Sequence, residues 1–282
     1  MEDGIRNFSD EFLRLLYSSF QAAWADQKPG LRLSFDLFVQ RLKEKLNIND
    51  QASLISVRNQ KIDGFILHTL NYYKGQFSAY NGGTGVVPES RGHGLTKQLY
   101  EALIPRLKKQ DVKKVILEAV KKNKQAIHVY KDIGFEVTQE FSCYAKRGYF
   151  YSEKELDIDV KETINPEYAK FWDSEPSFLD QPQQLEYNLR NEVILESKQG
   201  DKITGYIIFQ PLLGRISQLA VNPEFRKQGV GKSLIYKAFQ QSLMPHMTIM
   251  NISKTNSPFN NFLKHTGFVN EIDQYEMELT IK

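Results

Sequence analysis

The chain has 282 residues, of which 41% are hydrophobic and 12% aromatic. That is enough for packed cores, and it excludes a disordered chain. Its 37 basic and 34 acidic residues leave a net charge of +3, too even a balance to argue for nucleic-acid binding. The single cysteine, Cys143, excludes an internal disulfide and a cysteine-rich zinc site.

The elements follow in chain order. The acidic, polar start MEDGIRNFSDEF is unlike a secretory signal, and no apolar run approaches the roughly 18 residues of a membrane span. A soluble cytoplasmic protein with no membrane partner is the expectation. Residues 9–25 and 34–46 carry apolar positions at helical spacing, such as Phe12, Leu15, Leu16 and Phe20. Residues 53–58 and 62–70 read as a hairpin around Asn59-Gln60-Lys61. A further strand, 76–87, is interrupted by Gly82 and Gly83, which reads as a bulge or a flexible turn. A helix over about 92–109 aligns Leu95, Leu99, Leu103 and Leu107. Residues 114–120 form a buried strand, and a short helix over 124–132 ends at Gly134, a left-handed cap. Residues 135–148 are closing strands. After a strand at 155–163 and a Pro-, Asp- and Gln-rich stretch at 165–188, the later elements recur. Strands fall at 191–198, 203–210 and 214–221, a helix at 229–242, a strand at 247–252, a helix at 258–265 and strands at 268–280.

This recurrence is a duplication. VVPESRGHGLTKQL (86–99) aligns with VNPEFRKQGVGKSL (221–234) at an offset of about 135, matching Pro88/Pro223, Glu89/Glu224, Arg91/Arg226 and Gly94/Gly229. At nearly the same offset Asn123 meets Asn256, and Gly134-Phe135 meets Gly267-Phe268. Two domains are expected, 1–148 and 149–282, with the boundary near 148–152.

Each repeat places Arg-x-x-Gly at a strand-to-helix junction. Such a junction offers unpaired backbone N–H groups at the positive end of a helix dipole, where a diphosphate can sit. The second copy, Arg226-Lys227-Gln228-Gly229-Val230-Gly231, is complete. In the first, Arg91-Gly92-His93-Gly94-Leu95-Thr96, a threonine replaces the last glycine. Taken alone, either run also fits a simple turn.

With the preceding Val-x-Pro and the downstream Asn…Gly-Phe, both halves resemble the GCN5-related N-acetyltransferases. The family's Val-x-Pro-x-x-Arg-x-x-Gly-x-Gly/Ala pattern matches Val221–Gly231 fully and Val86–Thr96 at all but the last position. The resemblance implies an α/β (α+β) fold of two tandem domains. Each would have a mixed, mostly antiparallel sheet with a splayed strand pair and flanking helices. It implies acetyl-CoA as cosubstrate and no metal. The five histidines, His68, His93, His128, His246 and His265, show no ligand spacing. The cofactor would be held along Val86, Val87, Arg91–Thr96 and Asn123, and along Val221, Arg226–Gly231 and Asn256.

Residues 115–135 (VILEAVKKNKQAIHVYKDIGF) further resemble the ribosomal-protein N-terminal acetyltransferases of that family. The resemblance makes Glu118 a general base and Tyr130 the donor of a proton to the departing thiolate. A strand-end carboxylate and a packed tyrosine are the structural alternatives. Asn251 and Leu263 stand at these places in the second half, so the N-terminal domain is expected to catalyse. The C-terminal domain is expected to bind the cofactor or shape the site, with Tyr275 a remote substitute acid. A non-catalytic acyl-CoA-binding protein is the alternative function.

Other features are open. Lys108, Lys109, Lys113, Lys114, Lys121, Lys122 and Lys124 could meet the cofactor's 3′-phosphate or only solvent. Trp24, Trp172, Tyr144, Tyr149, Phe150 and Tyr151 could line an acceptor pocket or pack at a domain junction. A polyamine, aminoglycoside, amino acid or peptide N-terminus are all compatible acceptors.

Overall fold

The computed structural model describes residues 2–25, 33–152 and 154–282. Among them the first unit's elements are β1 (Gly4–Asn7), α1 (Leu13–Ala23), α2 (Phe35–Gln40), β2 (Leu54–Arg58), β3 (Lys61–Tyr73), β4 (Gln76–Val86), α3 (Leu95–Lys109), β5 (Lys114–Val120) and α4 (Lys124–Ile133). Then come β6 (Glu136–Arg147), β7 (Asp157–Lys161), α5 (Pro182–Leu185), β8 (Val193–Gln199), β9 (Lys202–Gln210), β10 (Arg215–Val221), α6 (Val230–Gln241), β11 (His246–Ser253), α7 (Ser257–His265) and β12 (Val269–Thr280). The periodicities of the sequence recover nearly all of these. Short β1 has no sequence signal of its own and pairs antiparallel with β2. The stretch 165–188 forms short 3₁₀ turns and the four-residue α5.

The compact units do not follow a cut at 148–149. One comprises residues 1–138 and 275–282, the other 139–274. The reason lies in the two closing strands. In the N-terminal unit the sheet runs β1-β2-β3-β4-β5 and ends on the last residues of β12. Met277 and Leu279 of β12 are buried there with Leu99, Leu103 and Leu107 of α3. Glu276 is fully buried and receives hydrogen bonds from Tyr73 Oη and Lys74 Nζ, each at 3.0 Å. Lys114 pairs with Glu278 at 3.0 Å.

In the C-terminal unit the sheet starts on residues 139–147 of β6 and continues β11-β10-β9-β8-β7. Tyr144 of β6 enters its core beside Ile216, Leu234 and Leu263. Its hydroxyl donates to Asn260 Oδ1 at 2.7 Å. Each unit therefore completes its sheet with a strand that the simple tandem order assigns to the other repeat. Alternating apolar positions on β6 and β12 are satisfied by either core, so the pattern alone cannot decide between them.

Candidate active site

In both units one parallel strand pair comes apart. β4 and β5 pair only at Ser78↔Lys114, Ala79↔Val115 and Tyr80↔Ile116, although β4 runs on to Val86 and β5 to Val120. β10 and β11 pair only at Arg215↔Thr248 and Ile216↔Ile249. On their other edges β4 and β10 remain paired to the end, through Gly64↔Val86 and Gly205↔Val221. Each splayed strand thus turns a free edge toward the opening, available for strand addition by an amide-bearing ligand.

Local irregularities lie on the ladders beside the splayed pairs. The β3–β4 register leaves Gly82 as an extra residue between Gly83 and Asn81, the bulge that the glycine pair suggests. A Cβ on Gly82 would lie 2.9 Å from Leu46 Cδ2, so glycine lets Leu46 pack against the strand. In the C-terminal unit β10 breaks register between Ile216 and Gln218, and β11 between Ile249 and Ile252. Asn251 sits in that second break with φ +57.

Each splayed strand ends in a short 3₁₀ turn and a left-handed glycine that starts a helix, Gly94 (φ +70) before α3 and Gly229 (φ +83) before α6. The first backbone N–H groups of these helices have no intrahelical acceptor. Leu95 and Val230 bury their side chains, so only their backbone can face a diphosphate. Space for one exists: a Cβ at Gly92 or Gly94 would meet nothing within 4 Å, and at Gly229 only Lys154, at 3.4 Å. Gly231 has a different job. A Cβ there would lie 2.9 Å from Phe262 Cζ, so glycine lets α6 approach α7. At the corresponding places the first repeat has Thr96 for Gly231 and the smaller Val129 on α4 for Phe262.

The arginines of the motif face inward. Arg91 donates from Nε to the Val86 carbonyl at 3.2 Å and from Nη2 to the Ala23 carbonyl at 2.9 Å. Arg226 donates from Nε to Val221 at 3.1 Å, from Nη2 to Phe171 at 2.9 Å, and pairs through Nη1 with Asp173 at 2.8 Å. They clamp the strand end to the preceding segment. Asn123 and Asn256 likewise cap helices, accepting from Ala126 N at 3.0 Å and Phe259 N at 3.2 Å. His93, Lys227 and Gln228 are exposed on the turns, where Gln228 Nε2 donates to the Glu224 carbonyl.

A family model for the acetyltransferase (GNAT) family matches residues 10–135 and again 158–268. The chain belongs to the acetyltransferase (GNAT) family. GNAT membership makes it an acyltransferase-class protein, and the two matches show that the fold is repeated. Its structure is similar to a putative acetyltransferase from Pyrococcus horikoshii, with a TM-score of 0.74 at 17% identity over 99% of this chain and 89% of that one. It is also similar to a tandem GNAT protein from the clavulanic acid biosynthesis pathway, with a TM-score of 0.72 at 13% identity over 100% and 99%. A GCN5-related N-acetyltransferase from Sphaerobacter thermophilus gives 0.69 at 12% over 99% and 95%. No curated protein sequence matches the chain. These structural likenesses establish the GNAT fold.

Within this GNAT protein, Glu118 lies on β5 two residues beyond the last rung and accepts a hydrogen bond from Tyr80 Oη. Tyr130, on α4, packs against the core. Burial pushes its phenol above the ordinary tyrosine value, with the polar side chains of Thr84 and Asn81 of β4 acting in the opposite sense. Behind them Asn81 Nδ2 donates to Tyr100 Oη at 2.7 Å, and Tyr100 meets His68 Nε2 at 3.3 Å. In the C-terminal unit Leu263 is fully buried in the core. Tyr275 belongs to the N-terminal unit, with Lys121 Nζ over its ring.

The C-terminal unit holds a cavity of about 720 Å³. It is bordered by the cradle at Val221, Gly229 and Gly231, by Trp172 from among the aromatic candidates, and by Tyr206, Ser217 and Gln218, which the sequence does not single out. Of the other aromatic candidates, Trp24 packs on Phe20, with ring centroids 4.5 Å apart. Tyr144 and Phe150 are core residues, and Tyr149 and Tyr151 are exposed. Among the lysines, Lys113 pairs with Asp111 and Lys114 with Glu278, while Lys108, Lys109, Lys122 and Lys124 are exposed.

Proposed function

We propose that this protein is an acetyl-CoA-dependent N-acetyltransferase that acts in the cytoplasm on a primary amine, by direct attack in a ternary complex. One observation carries the reading. Glu118 lies on one strand of the splayed pair and Asn81 and Thr84, whose side chains act on the Tyr130 phenol, lie on the other, each beyond the last shared rung. A thioester threaded between the strands would therefore have a carboxylate on one side and a phenol on the other. The acceptor ammonium gives a proton to Glu118, directly or through water. The freed amine attacks the carbonyl carbon, the carbon–sulfur bond breaks, and Tyr130 protonates the thiolate; the new amide nitrogen releases its second proton to solvent, from which Tyr130 regains its own. Burial supports the last step, because it keeps the phenol protonated at neutral pH.

The pantetheine amides would add to the free edges of β4 and β10, with the diphosphate on backbone N–H groups at 92–96 and 227–231. For the C-terminal unit, binding without turnover is the reading favoured by Asn251 and the buried Leu263.

Thiol release from acetyl-CoA with a panel of amines tests the assignment. Turnover that falls at least tenfold in Glu118→Gln and Tyr130→Phe supports it. Turnover unchanged in both variants removes the N-terminal unit from the chemistry.

A further inference from the structure

Tyr80 is the last residue of β4 that is held on both edges. It pairs with Thr69 of β3 on one side and with Ile116 of β5 on the other, and beyond it the parallel pair comes apart. Its neighbour Asn81, also buried, fixes the strand just past that point. Asn81 Oδ1 accepts from Gly83 N at 2.9 Å, and Nδ2 donates to Tyr100 Oη at 2.7 Å and to Thr84 Oγ1 at 2.6 Å. Both amide hydrogens and the amide oxygen are in use. The backbone that carries Tyr80 is thus pinned ahead and behind.

Consecutive strand residues face opposite ways. Ala79 of β4 and Val115, Leu117 and Ala119 of β5 lie in the core with Leu99 and Leu103 of α3. Tyr80 and Glu118 therefore share the other face. There the buried Tyr80 donates its hydroxyl hydrogen to Glu118 Oε2, two residues beyond the last rung. The bond crosses the splayed pair at its apex. A phenol has one hydrogen to give, whereas a carboxylate offers about four acceptor sites. The bond fixes the orientation of Glu118 and takes only one of those sites. The second repeat changes both partners together. Its last rung is Ile216↔Ile249, and Asn251 stands two residues beyond it. Where Glu118 gives way to Asn251, Tyr80 gives way to Ile216.

We infer that Tyr80 is a positioning residue, which holds the Glu118 carboxylate at the apex of the splayed pair ready to accept a proton. The inference rests on the reading of Glu118 as general base. A hydrogen bond donated to a carboxylate favours its charged form. Tyr80→Phe keeps the ring and removes the donor, so it should raise the pH at which Glu118 takes up a proton. The other titratable groups on this face are Tyr73 of β3, Lys114 of β5, and Glu276 and Glu278 of β12. Glu276 pairs with Lys74 and Glu278 with Lys114, and the substitution leaves these charges unchanged.

Carbon-13 NMR of the full chain, labelled in its glutamate carboxyls, reads this without any acceptor. The resonance that Glu118→Gln removes is that of Glu118. Its titration midpoint is expected to rise by about one pH unit in Tyr80→Phe. Thiol release from acetyl-CoA gives the second readout, with the fastest of putrescine, kanamycin, lysine and an alanine-initiated peptide. Tyr80→Phe should lower kcat about tenfold, the scale of one hydrogen bond to a charged group. KM for acetyl-CoA should stay within about twofold, and the acid limb of kcat/KM should move upward with the NMR midpoint. In the Glu118→Gln background the same substitution should change turnover less than about twofold, because Tyr80 acts through Glu118. An unmoved Glu118 midpoint, a parent-like kcat, or the full loss in the Glu118→Gln background overturns the role of Tyr80 while leaving Glu118 as base. A moved midpoint in a chain that turns over no amine, or that works as well without Glu118, sinks the base reading and leaves the Tyr80–Glu118 bond standing.

Discussion

Arg226 donates its Nε to the carbonyl oxygen of Val221, the last residue of the splayed strand, at 3.1 Å. Arg91 makes the same bond to Val86 at 3.2 Å. The most recognisable charge of the motif thus holds the strand end, and in the proposed cradle an anion would be left to backbone N–H groups. A planar guanidinium holds its donors in a fixed fork that the single nitrogen of a lysine ammonium does not reproduce.

Arg226→Lys is therefore expected to lower the stability of the C-terminal unit by about 1–3 kcal/mol, the range for losing hydrogen bonds made by a charged donor. The chain has two tryptophans, Trp24 in one unit and Trp172 in the other. Urea denaturation of the Trp24→Phe chain, followed by Trp172 fluorescence, reads the effect. The salt dependence of CoA binding should keep the parent's slope. An unchanged midpoint with a shallower salt slope would place the guanidinium on phosphate instead.

Met277 follows Glu276 in the last strand and is fully buried in the N-terminal core. Met277→Ala should cost that unit about 2–5 kcal/mol, the usual range for truncating a buried large side chain. In a Trp172→Phe background, Trp24 fluorescence should show an earlier unfolding transition. In a Trp24→Phe background, Trp172 should report the parent's midpoint. The reverse pattern would mean that residues 275–282 stabilise the other unit.

Much of this was legible in the sequence, and the parts that were not have a common cause. The helices of the cradle, the bulge at Gly82 and the cap at Gly134 (φ +111) follow from local rules about glycine and apolar spacing. The closing strands look alike in both repeats, so their assignment depends on long-range pairing that no local pattern encodes. The inward turn of Arg91 and Arg226 is invisible for the same reason, since Ala23 and Phe171 lie far upstream. Ser217 and Glu192 are 25 residues apart and meet only because β8, β9 and β10 align their ends.

Tyr130 gives a pH signature. Its phenol is raised above the ordinary value near 10, so the proton donor persists into alkaline solution. The rate of thiol release should hold its plateau to at least about pH 10 before the alkaline limb set by deprotonation of the donor. Tyr130→Phe should reduce the plateau about 10²-fold, within the range for general acid catalysis. A fall already under way at pH 8 would assign the proton to another group.

His68 supplies a stability signature. It is fully buried between Ser53 and Tyr100, and burial pushes its pKa down to about 3, against a smaller opposing effect of the Ala52 backbone. The folded chain therefore keeps the imidazole neutral while the unfolded chain protonates it near 6.5. Between these values the unfolded state binds the extra proton, so stability is full above pH 6.5 and falls as pH drops toward 3. At pH 5 the loss attributable to this one group is about 2 kcal/mol relative to pH 7. Urea midpoints of the N-terminal unit, read by Trp24 in the Trp172→Phe chain, should decline over that window. His68→Gln removes the titration, so its midpoints should change less between pH 7 and 5, even though it starts from a lower value. A parallel decline in parent and variant would place the titrating proton elsewhere in the unit.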